Sequence, residues 1–263
     1  MTSLPQRLFT AACLAALFAV AARAADASAV ASAKAEPAII AKARAYLGPE
    51  TLLDGVKSIH FVGTLVTADP AEPAKPIRQA VEIIFQKPDQ QRIKATSEKT
   101  IEVTALDGYD GWRRVQDAAD ASKWQQTLLG PDQLKHLRAN TWENLAFFRG
   151  IERRGGRLED QGPATIDGVA CEKVAFIHGP NIVFYRFFDL ATGRLVYTET
   201  ESGSTMREQG ELRADGLRFP KSLVQASKAA NGKIQTVTIT FEKVTVNEVF
   251  PVSLFSVPPL SPR

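Results

Sequence analysis

The stretch that most constrains this chain is residues 81–112. Val81, Ile83 and Phe85 alternate with Glu82, Ile84 and Gln86; Ile93 and Ala95 with Arg92 and Lys94; Ile101, Val103 and Ala105 with Glu102 and Thr104. A period of two, repeated three times, marks β-strands with one buried face. The connections Lys87-Pro88-Asp89 and Ser97-Glu98-Lys99 are short and turn-like, so consecutive strands pair as an antiparallel meander. A sheet with one apolar face must be covered by a second layer or curl on itself. What lies against that face is therefore the functional question.

The same pattern extends in both directions. Residues 59–67 form a strand with Phe61, Gly63 and Leu65 on one face and His60, Val62 and Thr64 on the other, and the prolines of residues 68–76 end it. Residues 157–166 and 169–177 flank Asp167-Gly168, a strong hairpin signal. Residues 181–189 and 194–201 flank Ala191-Thr192-Gly193, and 205–214 and 217–226 flank Asp215-Gly216. A last strand spans 233–247. The expectation is about eleven strands in two meanders.

Helical periodicity occurs at two places. Glu36-Pro37 opens a helix with Ile39, Ile40, Ala43 and Leu47 on one face and Gly48 at its end, followed by a short turn with Leu52, Leu53 and Val56 on one side. Pro131 opens a second helix reaching Arg149. Leu134, Leu137, Leu145 and Phe148 line one stripe with Thr141 between them, and Lys135, Arg138 and Glu143 face away. The fold class expected is mainly β with a helical cover: a highly curved open antiparallel sheet, a half-barrel whose concave face carries the helices.

Residues 1–24 read as a signal peptide, with Arg7 before an apolar run and Ala22-Arg23-Ala24 as a small-x-small cleavage pattern. Residues 25–35 are an Ala/Ser-rich leader, 36–259 one domain and 260–263 a tail. The formal charge of +3 includes Arg7 and Arg23, so the exported chain carries a single net positive charge. Its bases are interleaved with acids, which argues against nucleic acid as a partner. After cleavage Cys171 is alone; flanked by Val169 and Val174, it reads as a small buried hydrophobe.

No enzyme constellation emerges. His60, His136 and His178 fall on a strand, a helix and a turn without metal-ligand spacing, so neither a metal nor another cofactor is expected. No nucleophile elbow is present, and Gly108 and Gly111 read as turn residues.

Several short patterns together resemble the LolA/LolB-like periplasmic lipoprotein carriers. Lys87-Pro88 matches the family's basic-Pro turn; Asp107-Gly108 followed by Trp112 is similar to its Asp-Gly-aromatic strand start; Phe255-Ser256-Val257-Pro258-Pro259 looks like its Phe-x-x-Pro-Pro ending. The order of elements agrees over residues 36–259. The resemblance implies acyl chains held between a curved sheet and helices that plug its mouth. In the carrier proper an arginine at the basic-Pro turn helps close the helical lid. Here Lys87 stands in that place, a point charge without the planar guanidinium fork.

The function expected is a noncatalytic exported binder, in the periplasm of a Gram-negative-type bacterium, for acyl chains, lipoproteins or another hydrophobic ligand. It is expected as a monomer, with a membrane-bound donor or acceptor protein as a further partner. Phe61, Leu65, Val81, Ile83, Phe85, Ile93, Val103 and Trp112 on the sheet, and Leu137, Leu145 and Phe148 on the helix, are the expected cavity residues, with Lys87 at the gate. The alternatives are a cell-envelope sensor or protein-interaction domain of the same fold, and a sheet whose helices simply seal an ordinary core.

Overall fold

A computed structural model describes residues 36–68, 75–228 and 232–259. The expected signal peptide, leader and C-terminal tail lie outside the described residues, as do residues 69–74 of the proline-rich loop.

The chain opens with α1 (Ala38–Leu47) and α2 (Glu50–Gly55). The first meander is β1 (Ser58–Ala68), β2 (Ile77–Gln86), β3 (Gln90–Thr96), β4 (Thr100–Asp107), β5 (Asp110–Asp117) and β6 (Trp124–Leu128). Then α3 (Pro131–Leu145) crosses to the second meander. That meander is built from β7 (Arg157–Ile166), β8 (Val169–Gly179), β9 (Ile182–Asp189), β10 (Leu195–Thr200), β11 (Thr205–Gln209), β14 (Ser222–Lys228) and β15 (Ile234–Val246). All thirteen of these strands form one antiparallel sheet. Its spatial order, β6-β5-β4-β3-β2-β1-β15-β14-β11-β10-β9-β8-β7, joins the two meanders where the first strand meets the last. The two edge strands do not pair with one another, so the sheet is open.

Local chemistry explains most of this order. Asp167 and Gly168 both have positive φ, 50° and 81°, as a two-residue hairpin of the favoured twist requires, and Ile166 pairs Val169 across it. Gly63 marks a register shift in the β1/β15 ladder. A Cβ there would sit 2.1 Å from the carbonyl oxygen of Thr240, so only glycine admits this close approach.

The strand count exceeds the expectation, and the excess has a cause. The stretch expected as two long strands, 205–214 and 217–226, is broken at Gly210 (φ 64°) and Pro220. The middle folds away as a separate hairpin, β12 (Leu212–Ala214) and β13 (Leu217–Phe219), whose Leu217 and Phe219 are buried against Phe61, Leu65 and Phe241 of the main sheet. The cover of the concave face is thus helices plus a β-hairpin. The strand β6 adds a further ladder through Trp112–Leu128 and Gln116–Trp124 pairing.

The two halves of the concave face are filled differently. Over β8 to β10, the α1 residues Ile39, Ile40 and Ala43 pack with Trp142, Phe148 and Ile151 onto Val174, Phe176, Phe188 and Leu195 as a closed core. Over β1, β2 and β15, Leu53 and Val56 beyond α1, with Leu145 and Phe147 at the end of α3, pack at the margins of a space that stays open. The expected ordinary core is therefore realised over β8 and part of β9 and β10, beside which the open space continues past Phe184, Arg186 and Thr198. On the opposite, convex face, Cys171 is fully buried with Phe187 and Val196, the apolar role expected of it.

The cavity between the sheet and the third helix

The open half is a cavity of about 450 Å³, within the roughly 300–1,000 Å³ common for small-molecule sites. Its floor is the inner face of β1, β2, β3 and β15. Phe61, Leu65, Val81, Ile83, Phe85 and Ile93 line it as expected, joined by Val237, Ile239 and Phe241. Leu137 and Phe148 close it from the α3 side.

Three expected residues are elsewhere. Val103 pairs with Lys94 and Arg114, while its neighbour Thr104 pairs with Ile93 and Arg113 and faces the cavity. The apolar alternation of β4 thus points outward, and its inward face carries Thr104 and a buried Glu102, whose carboxylate accepts from Arg113 at 2.6 Å. Trp112 shares the outer face and is buried there by the C-terminal segment, donating its indole N–H to the Phe255 carbonyl at 2.8 Å. That segment, held also by Ser256 donating to Asp107 and by the Gln126 amide donating to Pro258 O, gives the outer face of β4 and β5 its apolar partner. A sheet covered on both faces has no single greasy side. Leu145 is buried in the core behind the cavity and does not line it.

The helix α3 ends at Leu145, four residues before the expected Arg149. Phe147 and Phe148 then adopt positive φ, 48° and 71°, a conformation that bulky residues rarely take and that packing must enforce. It turns Phe147 into the cavity-side core and Phe148 into the sealed half.

Polar contacts clamp α3 across the sheet. At one end Thr141 donates to the Gln91 side chain at 2.9 Å, and Asp89 accepts from Arg138 (3.2 Å) and from both terminal nitrogens of Arg154 (2.5 and 2.9 Å). On the other side Glu143, expected to face solvent, is buried: Oε1 meets His178 Nε2 at 2.5 Å and Oε2 lies 2.7 Å from Arg186 Nη1. His178 belongs to the end of β8, not to a turn. Arg186 occupies the inward face of β9, with Phe184 and Phe188 on either side along the strand. Its guanidinium carbon sits 4.9 Å from the ring centres of both Phe148 and Phe176. A charged residue among inward phenylalanines is a sequence signal that strand periodicity makes visible; Glu143 on a helix of mixed polarity carries no such signal.

A second clamp holds the N-terminal helices. Arg44, almost wholly buried in α1, donates to the Ala146 and Phe147 carbonyls at 3.2 and 2.9 Å and pairs with Glu50 and Asp54 at 2.5 and 2.8 Å. The Arg44 guanidinium beside Glu50 holds that carboxyl below the usual range. Arg149 adds bonds to Glu36 and Glu50. Lys87, the expected gate, projects from an exposed turn. Burial by its surroundings pushes its ammonium pKa down, with Asp54 of α2 acting the other way. Asp89, two residues on, is the residue of this turn that binds α3.

Glu208 of β11 also lines the cavity; burial raises its pKa to about 7, with the Arg186 and Arg194 charges opposing. Among the described residues no cluster of three or more His, Cys, Asp or Glu side chains is placed to hold a metal ion.

An open curved antiparallel sheet with a helical cover over its concave face defines a class of fold, and comparison with known structures agrees. The fold is similar to that of solved LolA superfamily proteins. A LolA superfamily protein from Nitrosomonas europaea superposes with a TM-score of 0.53 at 12% identity, over 83% of this chain and 96% of that one. An outer membrane lipoprotein-sorting protein domain from Vibrio parahaemolyticus gives 0.53 at 9%, over 82% and 94%. A DUF1329 family protein from Desulfovibrio piger gives 0.53 at 8%, over 83% and 96%. No protein-family model matches the sequence, and no curated protein matches it.

Proposed function

We propose that this protein is a noncatalytic periplasmic carrier that holds acyl chains, or the acylated end of a lipoprotein, between its sheet and the α3 cover, and passes them between membrane-bound partners. The observation that carries this reading is the apolar floor of Phe61, Val81, Ile83, Phe85 and Phe241 left open to a cavity of about 450 Å³. Folded proteins close-pack their interiors, so an unfilled apolar space of this size is functional surface. Burying apolar area there yields roughly 25 cal/mol per Å², which retains a hydrophobic chain without polar recognition. Entry requires the cover to move. Among its contacts with the sheet, those of Asp89 with Arg138 and Arg154 and of Lys87 in the field of Asp54 are polar and lie at one turn. The family's fold and its lipoprotein-sorting members support the carrier reading by likeness.

The test is native mass spectrometry of the mature protein purified gently from the periplasm, followed by solvent extraction and lipid analysis. Stoichiometric acyl lipid or lipopeptide that leaves on extraction is expected. A clean apo mass with no uptake of a fluorescent fatty acid overturns the reading.

A further inference from the structure

The cavity is not uniformly apolar. Beyond the floor of β1, β2 and β15 it continues onto β14, β11, β10 and β9, where Thr198, Ser204, Glu208 and Arg186 line it. In the sheet β9 is four strands from β15, roughly 19 Å along the curve at about 4.8 Å per strand. The space is thus elongated, with an apolar floor over β15, β1 and β2 and polar groups at this end as well as along the α3 side, where Gln91, Asn140 and Asn144 line it.

Arg186 is the unusual group there. It is buried, 6% exposed, and its Nε has no hydrogen-bond partner. Glu143 meets Nη1 only, and Phe148 and Phe176 lie against the guanidinium. What remains is a donor on a cation at the cavity wall, and buried donors without acceptors are rare and costly. The other arginines that line the cavity are likewise paired with acids, Arg113 with Glu102 at 2.6 Å and Arg218 near Glu211 at 3.6 Å, but neither has a buried nitrogen without a partner.

Resting on the carrier reading above, we infer that the cavity takes a single-tailed amphiphile with a carboxylate head, a long-chain fatty acid, whose head accepts hydrogen bonds from Arg186 while its tail lies over β15, β1 and β2. A carboxylate suits a guanidinium edge by geometry and charge. Glu208, whose pKa burial raises to about 7, can take up a proton near neutrality and so offer a donor to the head instead of a repelling charge. A cationic head meets Arg186 directly and is repelled, and an alcohol can accept a hydrogen bond from the guanidinium but lacks the ion-pair attraction and bidentate geometry of a carboxylate.

The test compares palmitate, hexadecanol and hexadecyltrimethylammonium by isothermal titration of the delipidated mature protein at pH 7. Palmitate is expected to bind at least about tenfold more tightly than hexadecanol, and the ammonium amphiphile most weakly. Arg186→Gln is expected to erase the preference for palmitate while leaving hexadecanol affinity within about threefold. Equal wild-type affinity for palmitate and hexadecanol overturns the head-group assignment and leaves the carrier reading standing. Failure of all three to bind overturns the carrier reading itself. Should Arg186→Gln not fold, the wild-type ratio decides alone.

Discussion

Arg44 in α1 donates from Nη1 to the carbonyl oxygen of Phe147 at 2.9 Å, across 103 residues of sequence. The last carbonyls of a helix have no intrahelical partner, and here a side chain of another helix supplies one. The same guanidinium binds Glu50 and Asp54, so it ties α1, α2 and the turn after α3 together.

Replacing Arg44 should therefore loosen the cover. Glu50 and Asp54 are 47% and 73% exposed and can rehydrate, so the cost falls on the orphaned carbonyls and the vacated space. Arg44→Met is expected to lose about 2–3 kcal/mol in urea unfolding, and Arg44→Lys most of that, since an ammonium cannot span the same partners.

Glu143 and Arg186 form a buried pair, 1% and 8% exposed at their side chains. Removing one partner strands the other charge. Glu143→Leu should cost about 3–5 kcal/mol, whereas the double variant Glu143→Leu/Arg186→Met should recover most of it. A double-mutant cycle by chemical denaturation reads the coupling; additive losses would show that the pair is not coupled.

Glu208 sets a pH dependence. Its native pKa, about 7, lies above the ordinary 4.5, so the native state binds more protons than the unfolded one between these values. Stability from this group is complete below pH 4.5, declines as pH rises to about 7, and is constant beyond. The side chain keeps some contact with water, so the decline should be about 1–3 kcal/mol. Comparing wild type with Glu208→Gln by thermal unfolding from pH 4 to 8 should show the variant flatter across that window and relatively more stable at pH 8.

Gly193 lies where α1 meets the β9–β10 turn. Its φ is 78°, and a Cβ would stand 2.6 Å from the backbone of Lys42. Gly193→Ala should displace α1 and cost about 2–4 kcal/mol, more than Gly203→Ala at a similar φ of 78° with open space around it. Equal losses would mean that backbone strain alone is at work.

Filling the cavity should separate fold from function. Ile83→Trp adds bulk at the centre of the apolar floor. Circular dichroism should be unchanged while uptake of a fluorescent fatty acid falls at least about tenfold.

Much of this was written in local sequence. Strand alternation located β1, β2 and β3 and assigned Phe61, Leu65, Val81, Ile83, Phe85 and Ile93 to the cavity side, because one face of each meets apolar groups and the other meets water. Turn residues placed the hairpins, since positive φ at Asp167-Gly168 is a property of those residues. The faces of β4 and β5 were misread for one reason. A segment more than 130 residues away covers the outer side of Trp112, and alternation says that two faces differ without saying which faces the cavity.

The sequence by itself determined an open antiparallel sheet in two meanders with amphipathic helices to cover it, because period and turn chemistry act between neighbours. Tertiary structure decided that the cover packs closely over α1's part of the concave face and leaves a cavity over the rest, reaching from β2 to β9. It also decided that Asp89 and Glu143 clamp α3, and that Arg186 stands buried at the cavity wall with its Nε unpartnered. Those outcomes depend on which residues curvature brings together, a long-range property that no local pattern encodes.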